Sequence, residues 1–69
     1  MNNTEYLKAM GARIRAARKA KGIYLRDLGN MCNIHFGALS EIETGKRNSH
    51  ILTLKSIADV FGVDVKEFL

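Results

Sequence analysis

Apolar residues recur at Leu7, Met10, Ile14 and Ala17, spaced three, four and three apart, which traces one stripe of an amphipathic helix. Arg13, Arg15, Arg18 and Lys19 fall on its other faces. Thr4 suits the N-cap, and Gly22 suits the left-handed position after the last turn because it carries no Cβ. The spacing predicts a helix over about 5–21. Leu25, Leu28 and Cys32 predict a second over about 25–32, and Leu39 and Ile42 beside Ala38 predict a third over about 36–44 that stops at Gly45. Between them Asn33-Ile34-His35 forms a tight turn, since Asn enters the left-handed region best after Gly, and Ile34 tucks inward as a staple. Lys46–His50 is polar and aperiodic, hence a loop. Leu54, Ile57, Ala58 and Phe61 predict a fourth helix over about 51–61, ended by Gly62. Asp64-Val65-Lys66-Glu67 matches an acidic capping box, with Glu67 reaching back to Asp64, and predicts a last helix over about 64–69 that carries Phe68 and Leu69 to the core. No segment alternates with period two for long enough to be a strand. The expected fold is all-α, a compact five-helix bundle in one domain over residues 1–69.

Composition narrows what such a bundle does. The chain has 69 residues, 46% of them apolar and 26% charged, ordinary proportions for one small folded domain. A core of this size supplies about 3–5 kcal/mol of net stability before any staple is added. The lone Cys32 closes no intramolecular disulfide, which suits a reducing compartment, and its place on the core stripe marks it as a small buried hydrophobe. Cys32, His35 and His50 fall short of the four ligands of a structural zinc site, so no metal or other cofactor is expected. No apolar run approaches the roughly 18–20 residues of a membrane span, and Met1–Glu5 lacks the basic start and apolar core of a signal peptide. No His–acid–nucleophile set, paired carboxylates or phosphate loop stands at useful spacing, so the chain is not expected to be an enzyme.

Charge is divided unevenly. Residues 1–26 hold seven Lys and Arg against Glu5 alone, a balance of +6, whereas residues 27–69 hold four basic and six acidic residues, a balance of −2. A pI near 9.6 with this asymmetry favours a polyanionic partner, nucleic acid before membrane. The first helix lacks the bulky aromatics of a membrane-lying helix on its apolar stripe, and no membrane partner is expected.

Two short helices joined by a turn inside a small basic all-α domain have the layout of a helix-turn-helix. The ordered residues Arg18-Lys19-Ala20-Lys21-Gly22-Ile23, Leu28-Gly29, Ile34, Leu39-Ser40-Glu41-Ile42-Glu43-Thr44-Gly45-Lys46-Arg47-Asn48 and Leu54, Ile57-Ala58, Phe61-Gly62-Val63 resemble the Cro/phage-repressor type (XRE family) helix-turn-helix domain. The likeness covers roughly residues 10–69. It implies a lambda-repressor-like fold and a sequence-specific, double-stranded-DNA-binding transcriptional regulator of the repressor kind. It further implies a homodimer in the cytoplasm, bacterial or phage-encoded and nucleoid-associated. Helix 36–44 would enter the major groove by its N-terminal end, with Phe36, Gly37, Ser40 and Glu41 facing bases and His35 and Thr44 at the ends. Tyr24, Arg26, Thr44, Lys46, Arg47 and Asn48 would lie along phosphates, with Lys21 a further candidate, while Arg13 and Arg15 would point away from the duplex. By the same resemblance Glu43 pairs with Arg18, tying the reading helix to the first helix and leaving part of the guanidinium for a phosphate. Gly29 answers a close approach between the second and third helices. The dimer face is expected on helix four and Val63–Leu69.

Departures from the family pattern are informative. Tyr24 and Leu25 stand where a Ser cap and a Gln are common, Asn33 replaces the turn glycine, and Ser49 replaces a frequent Pro. Arg to guanine and Asn or Gln to adenine are the strong bidentate readers, and none occupies the reading face. Phe36 offers only apolar contact to a thymine methyl, Ser40 bonds either class of base, and Glu41 accepts from cytosine N4. This weak set leaves a second reading open: a protein-interaction module on the same fold, with Phe36 as anchor for a protein regulator such as an antirepressor or toxin.

Overall fold

The computed structural model describes residues 2–69. Its elements are α1 (Asn3–Ala20), α2 (Leu25–Cys32), α3 (Phe36–Glu43) and α4 (Ile51–Phe61), followed by one 3₁₀ turn at Val65–Glu67. No strand occurs among the described residues. The all-α expectation holds, but the count is four α-helices rather than five. Over the last segment the backbone N–H groups of Glu67, Phe68 and Leu69 each reach back three residues, to Asp64, Val65 and Lys66, so the chain winds as a 3₁₀ turn. Asp64 caps it by accepting from the Lys66 N–H at 3.0 Å. The tighter winding turns Phe68 inward, edge-on to Phe61 at 6.2 Å between centroids, and leaves Leu69 44% exposed rather than in the core.

Helix α1 starts earlier than its apolar stripe indicates, because Asn2 and not Thr4 is the cap. Its Oδ1 accepts from the Glu5 N–H at 2.8 Å. All four helices end alike: Gly22, Asn33, Gly45 and Gly62 take positive φ, and the next residue's N–H closes on the carbonyl five positions back. The stripes converge on one core in which Ile14, Leu28, Leu39, Ile42 and Ile57 are fully buried. Cys32 is only part-buried at its edge, its Sγ 3.9 Å from the Ser56 carbonyl, and burial pushes its thiol pKa up, away from reactivity.

Helix α1 crosses the end of α3 at two glycines. A Cβ on Gly11 would sit 2.6 Å from the Glu43 carbonyl oxygen, and one on Gly45, whose φ is +77°, would sit 2.7 Å from the Lys8 Cα. This backbone-to-backbone contact fixes how α3 is presented. Among the described residues no helix is long and apolar enough to cross a membrane.

Candidate nucleic-acid interface

The segment that exposes function-bearing side chains is α2, the turn and α3. The turn closes because Asn33 adopts φ 58° and ψ 43°, letting the Ile34 N–H reach the Gly29 carbonyl at 2.8 Å. A Cβ on Gly29 would lie 2.6 Å from the Ile34 oxygen, so the turn folds directly against α2. Ile34 packs against the core. The back of α3 is formed by Leu39, Ile42 and Glu43, all buried. Gly37, Ser40, Glu41 and Thr44 follow the spacing of a single stripe on another side.

Glu43 is 7% exposed, an acid held in the core. Its Oε2 accepts from Arg18 Nε at 2.8 Å and its Oε1 from Arg18 Nη2 at 3.1 Å, a bidentate pair joining α1 to α3. Nη1 also donates to the Ile23 carbonyl at 2.9 Å, so three of the five guanidinium N–H groups are engaged and one remains on each of Nη1 and Nη2. Hydrogen bonding to Glu43 pushes the Arg18 pKa further up.

Each residue of the expected reading surface has a definite place. His35 is the N-cap of α3, its Nδ1 accepting from the Gly37 N–H at 3.1 Å, which leaves the neutral ring's proton on Nε2. Its ring stacks on Phe36 with centroids 4.8 Å apart, and the Arg26 guanidinium carbon lies 4.7 Å from the same Phe36 ring. Ser40 and Glu41 are half-buried. Glu41 Oε1 accepts from Arg47 Nη2 at 2.7 Å, and this exposed pair holds the Glu41 carboxyl below its ordinary pKa. Thr44 is exposed and donates its hydroxyl proton to the Ser40 carbonyl at 2.9 Å, closing the helix end. Lys46, Arg47 and Asn48 are exposed in the following loop. Tyr24 begins α2, 77% exposed and with no side-chain cap bond, so the first N–H groups of α2 are open to an anion.

Arg13 and Arg15, grouped together from sequence, separate in space. Arg13 reaches the C-terminal turn, Nη1 to the Phe68 carbonyl at 3.3 Å. Arg15 instead lines a shallow depression with Ser40 and Thr44, beside α3. It stands three residues before Arg18, hence on the same face of α1, and that spacing was the signal available for it. Among the described residues no group of three or more His, Cys, Asp or Glu is arranged to hold a metal.

A short helix, a tight turn and a second short helix locked from behind with its start exposed define a helix-turn-helix unit. The family model described as Helix-turn-helix matches residues 14–68, and the chain belongs to that XRE-type helix-turn-helix family. It is 33% identical over 57 residues to the HTH-type transcriptional regulator DdrOP3 of Deinococcus deserti, covering 83% of this chain and 44% of that protein's length. The fold matches the clp gene regulator ClgR from Corynebacterium glutamicum with a TM-score of 0.87 and 32% identity, over 91% of this chain and 67% of that one. It also matches the S. venezulae BldD DNA-binding domain with a TM-score of 0.83 and 31% identity, over 94% of this chain and 97% of that one. The chain spans less than half the length of the DdrOP3 regulator, and what it shares with that protein is the helix-turn-helix domain.

Proposed function

We propose that residues 1–69 form one reading head of a sequence-specific, double-stranded-DNA-binding repressor. It acts as a homodimer in the cytoplasm, where its DNA lies, and has no catalytic role. The start of α3 enters the major groove, presenting His35, Phe36, Gly37, Ser40 and Glu41 to bases. Tyr24, Arg26, Lys46, Arg47, Asn48 and the open N-terminus of α2 face the backbone, and Arg15 joins them. The observation that carries this reading is the division of α3. Its inner side is locked to α1 by the buried Arg18–Glu43 pair, while its outer side has Arg26 against Phe36 at the start, Arg15 beside Ser40 and Thr44, and Arg47 on Glu41. Ile51, Leu52, Val63 and Leu69 are 39–63% exposed on α4 and the C-terminal turn, which supports that region as the dimer face. A dimer covering its operator excludes other proteins from it, the simplest form of repression.

Selection from a random-sequence duplex pool tests the proposal. We expect an enriched two-fold motif with half-sites about 34 Å apart. Affinity should fall steeply with salt, about 0.9 log units per log unit for each neutralised phosphate. A shallow salt slope with no enriched motif at low salt overturns it. Tyr24, Met31 and Phe36, respectively 77%, 58% and 41% exposed on the α2–α3 surface, favour a second reading, a docking site for a protein regulator. Under that reading Phe36→Ala and Glu41→Ala abolish a protein complex and leave DNA affinity unchanged.

A further inference from the structure

Two arginines placed among the backbone-facing residues lie instead against the side chains at the two ends of the reading surface. Arg26 comes from α2 and sits 4.7 Å from the Phe36 ring centre, while Arg47 comes from the loop after α3 and bonds Glu41 at 2.7 Å. A phosphate contact alone carries no sequence information. A cation that also orients a base-facing side chain does.

Phe36 opens α3, where no preceding helical turn restrains its side chain. Its ring is bounded by the Arg26 guanidinium and by the stacked His35 ring, which is itself fixed by the Nδ1 bond to the Gly37 N–H. Gly37, an apparent gap in a reading helix, has a reason here: its Cβ would crowd His35 Nδ1 at 3.1 Å. At the other end, a lone Glu41 carboxylate beside a duplex would be driven off by the phosphates. Arg47 offsets that repulsion and restricts where the carboxylate points.

We propose that Arg26 and Arg47 are positioning residues for base recognition. Arg26, with His35, holds the Phe36 ring where a thymine methyl packs against it. Arg47 holds Glu41 where the exocyclic amine of cytosine or adenine donates to it. The inference rests on the major-groove reading proposed above. It makes discrimination between bases depend on residues that touch no base.

The test takes the site selected from the random pool, all its single-base-pair variants, and copies in which deoxyuridine replaces each thymine in turn. Affinities are measured for the wild type and for Phe36→Ala, Arg26→Gln, Glu41→Ala and Arg47→Gln at one ionic strength. All four side chains are partly or fully solvent-facing, so thermal unfolding should confirm that each variant folds. Loss of one thymine methyl should weaken the wild type about fourfold, the value of one buried methyl-sized group. That effect should vanish in Phe36→Ala and shrink in Arg26→Gln. One C·G or A·T position should carry a preference of about fivefold or more that is lost in Glu41→Ala and reduced in Arg47→Gln. If both arginine variants weaken every duplex by one common factor and keep both preferences, the arginines are phosphate anchors and the positioning role is overturned. A pool that enriches no motif overturns the parent reading, and this inference with it.

Discussion

Replacing Gly11 by alanine should destabilise the protein by about 2 kcal/mol, although the same exchange at an ordinary helix position stabilises by about 0.5–1 kcal/mol. The sign reverses because of what the new methyl meets. It would lie 2.6 Å from the Glu43 carbonyl oxygen and 2.7 Å from its carbonyl carbon, both backbone atoms that no rotamer change moves. Helix α1 must then lift off the end of α3, and lifting strains the Arg18–Glu43 pair two turns along the same face of α1. For a domain of this length a loss of about 2 kcal/mol lowers Tm by roughly 8–16 °C. Thermal unfolding followed by circular dichroism reads it directly, with Ala16→Gly, at an exposed position of the same helix, as the propensity control. A Tm equal to or above the wild type for Gly11→Ala would show that the crossing has slack. Gly11→Val, which adds two more carbons at the same contact, should leave no cooperative transition at 25 °C.

Gly11 also marks the limit of what the residue pattern tells. The helices α2 and α4 were legible to the residue, because their stripes are short, regular and ended by a residue suited to positive φ. The start of α1 was not, since Asn2 and Thr4 are both good caps and the apolar stripe begins only at Leu7. The fifth helix failed for a related reason. A capping box signals that a turn begins, but α and 3₁₀ turns share that signal, and only the packing of Phe68 on Phe61 selects the tighter one. Gly11 carried no sign at all. A glycine inside a helical stripe is ambiguous until the element it faces is known, and here that element, Ile42 and Glu43, is 31 and 32 residues away in sequence.

The sequence proposes which residues share the candidate surface but not how they couple. Phe36, Glu41, Arg26 and Arg47 were assigned from the family pattern one residue at a time, the first two to bases and the others to phosphates. Which arginine touches which reader depends on the angle between α2 and α3 and on the path of the loop after Gly45, neither of which a linear motif encodes. Arg15 lies beside α3, apart from Arg13, and net charge along the chain does not state which helical face carries it. Once Arg18 is known to point at α3, a residue three positions earlier must follow.

Removing Glu43 should have the largest effect of any side-chain truncation in the molecule. In Glu43→Ala the Arg18 guanidinium, whose side chain is 11% exposed, would keep only the Ile23 carbonyl as partner. Breaking a buried pair from one side costs about 3–5 kcal/mol, because a desolvated charge is left without compensation. That matches the whole net stability of about 3–5 kcal/mol expected for a core this small, so the variant should be largely unfolded at 25 °C. Removing both charges at once distinguishes this cause from simple loss of packing. Arg18→Met with Glu43→Leu deletes the attraction and the desolvation cost together, and should fold to within about 1–2 kcal/mol of the wild type by urea denaturation. A double variant as unstable as Glu43→Ala would mean that the bonds themselves, and not the stranded charge, hold α3 against α1. The refolded double variant then isolates a second role for the pair. Its two parallel N–H···O bonds fix the rotation of α3 about its own axis, which apolar packing leaves freer. It should therefore bind DNA more weakly and with a flatter base preference than the wild type, even where its stability is restored.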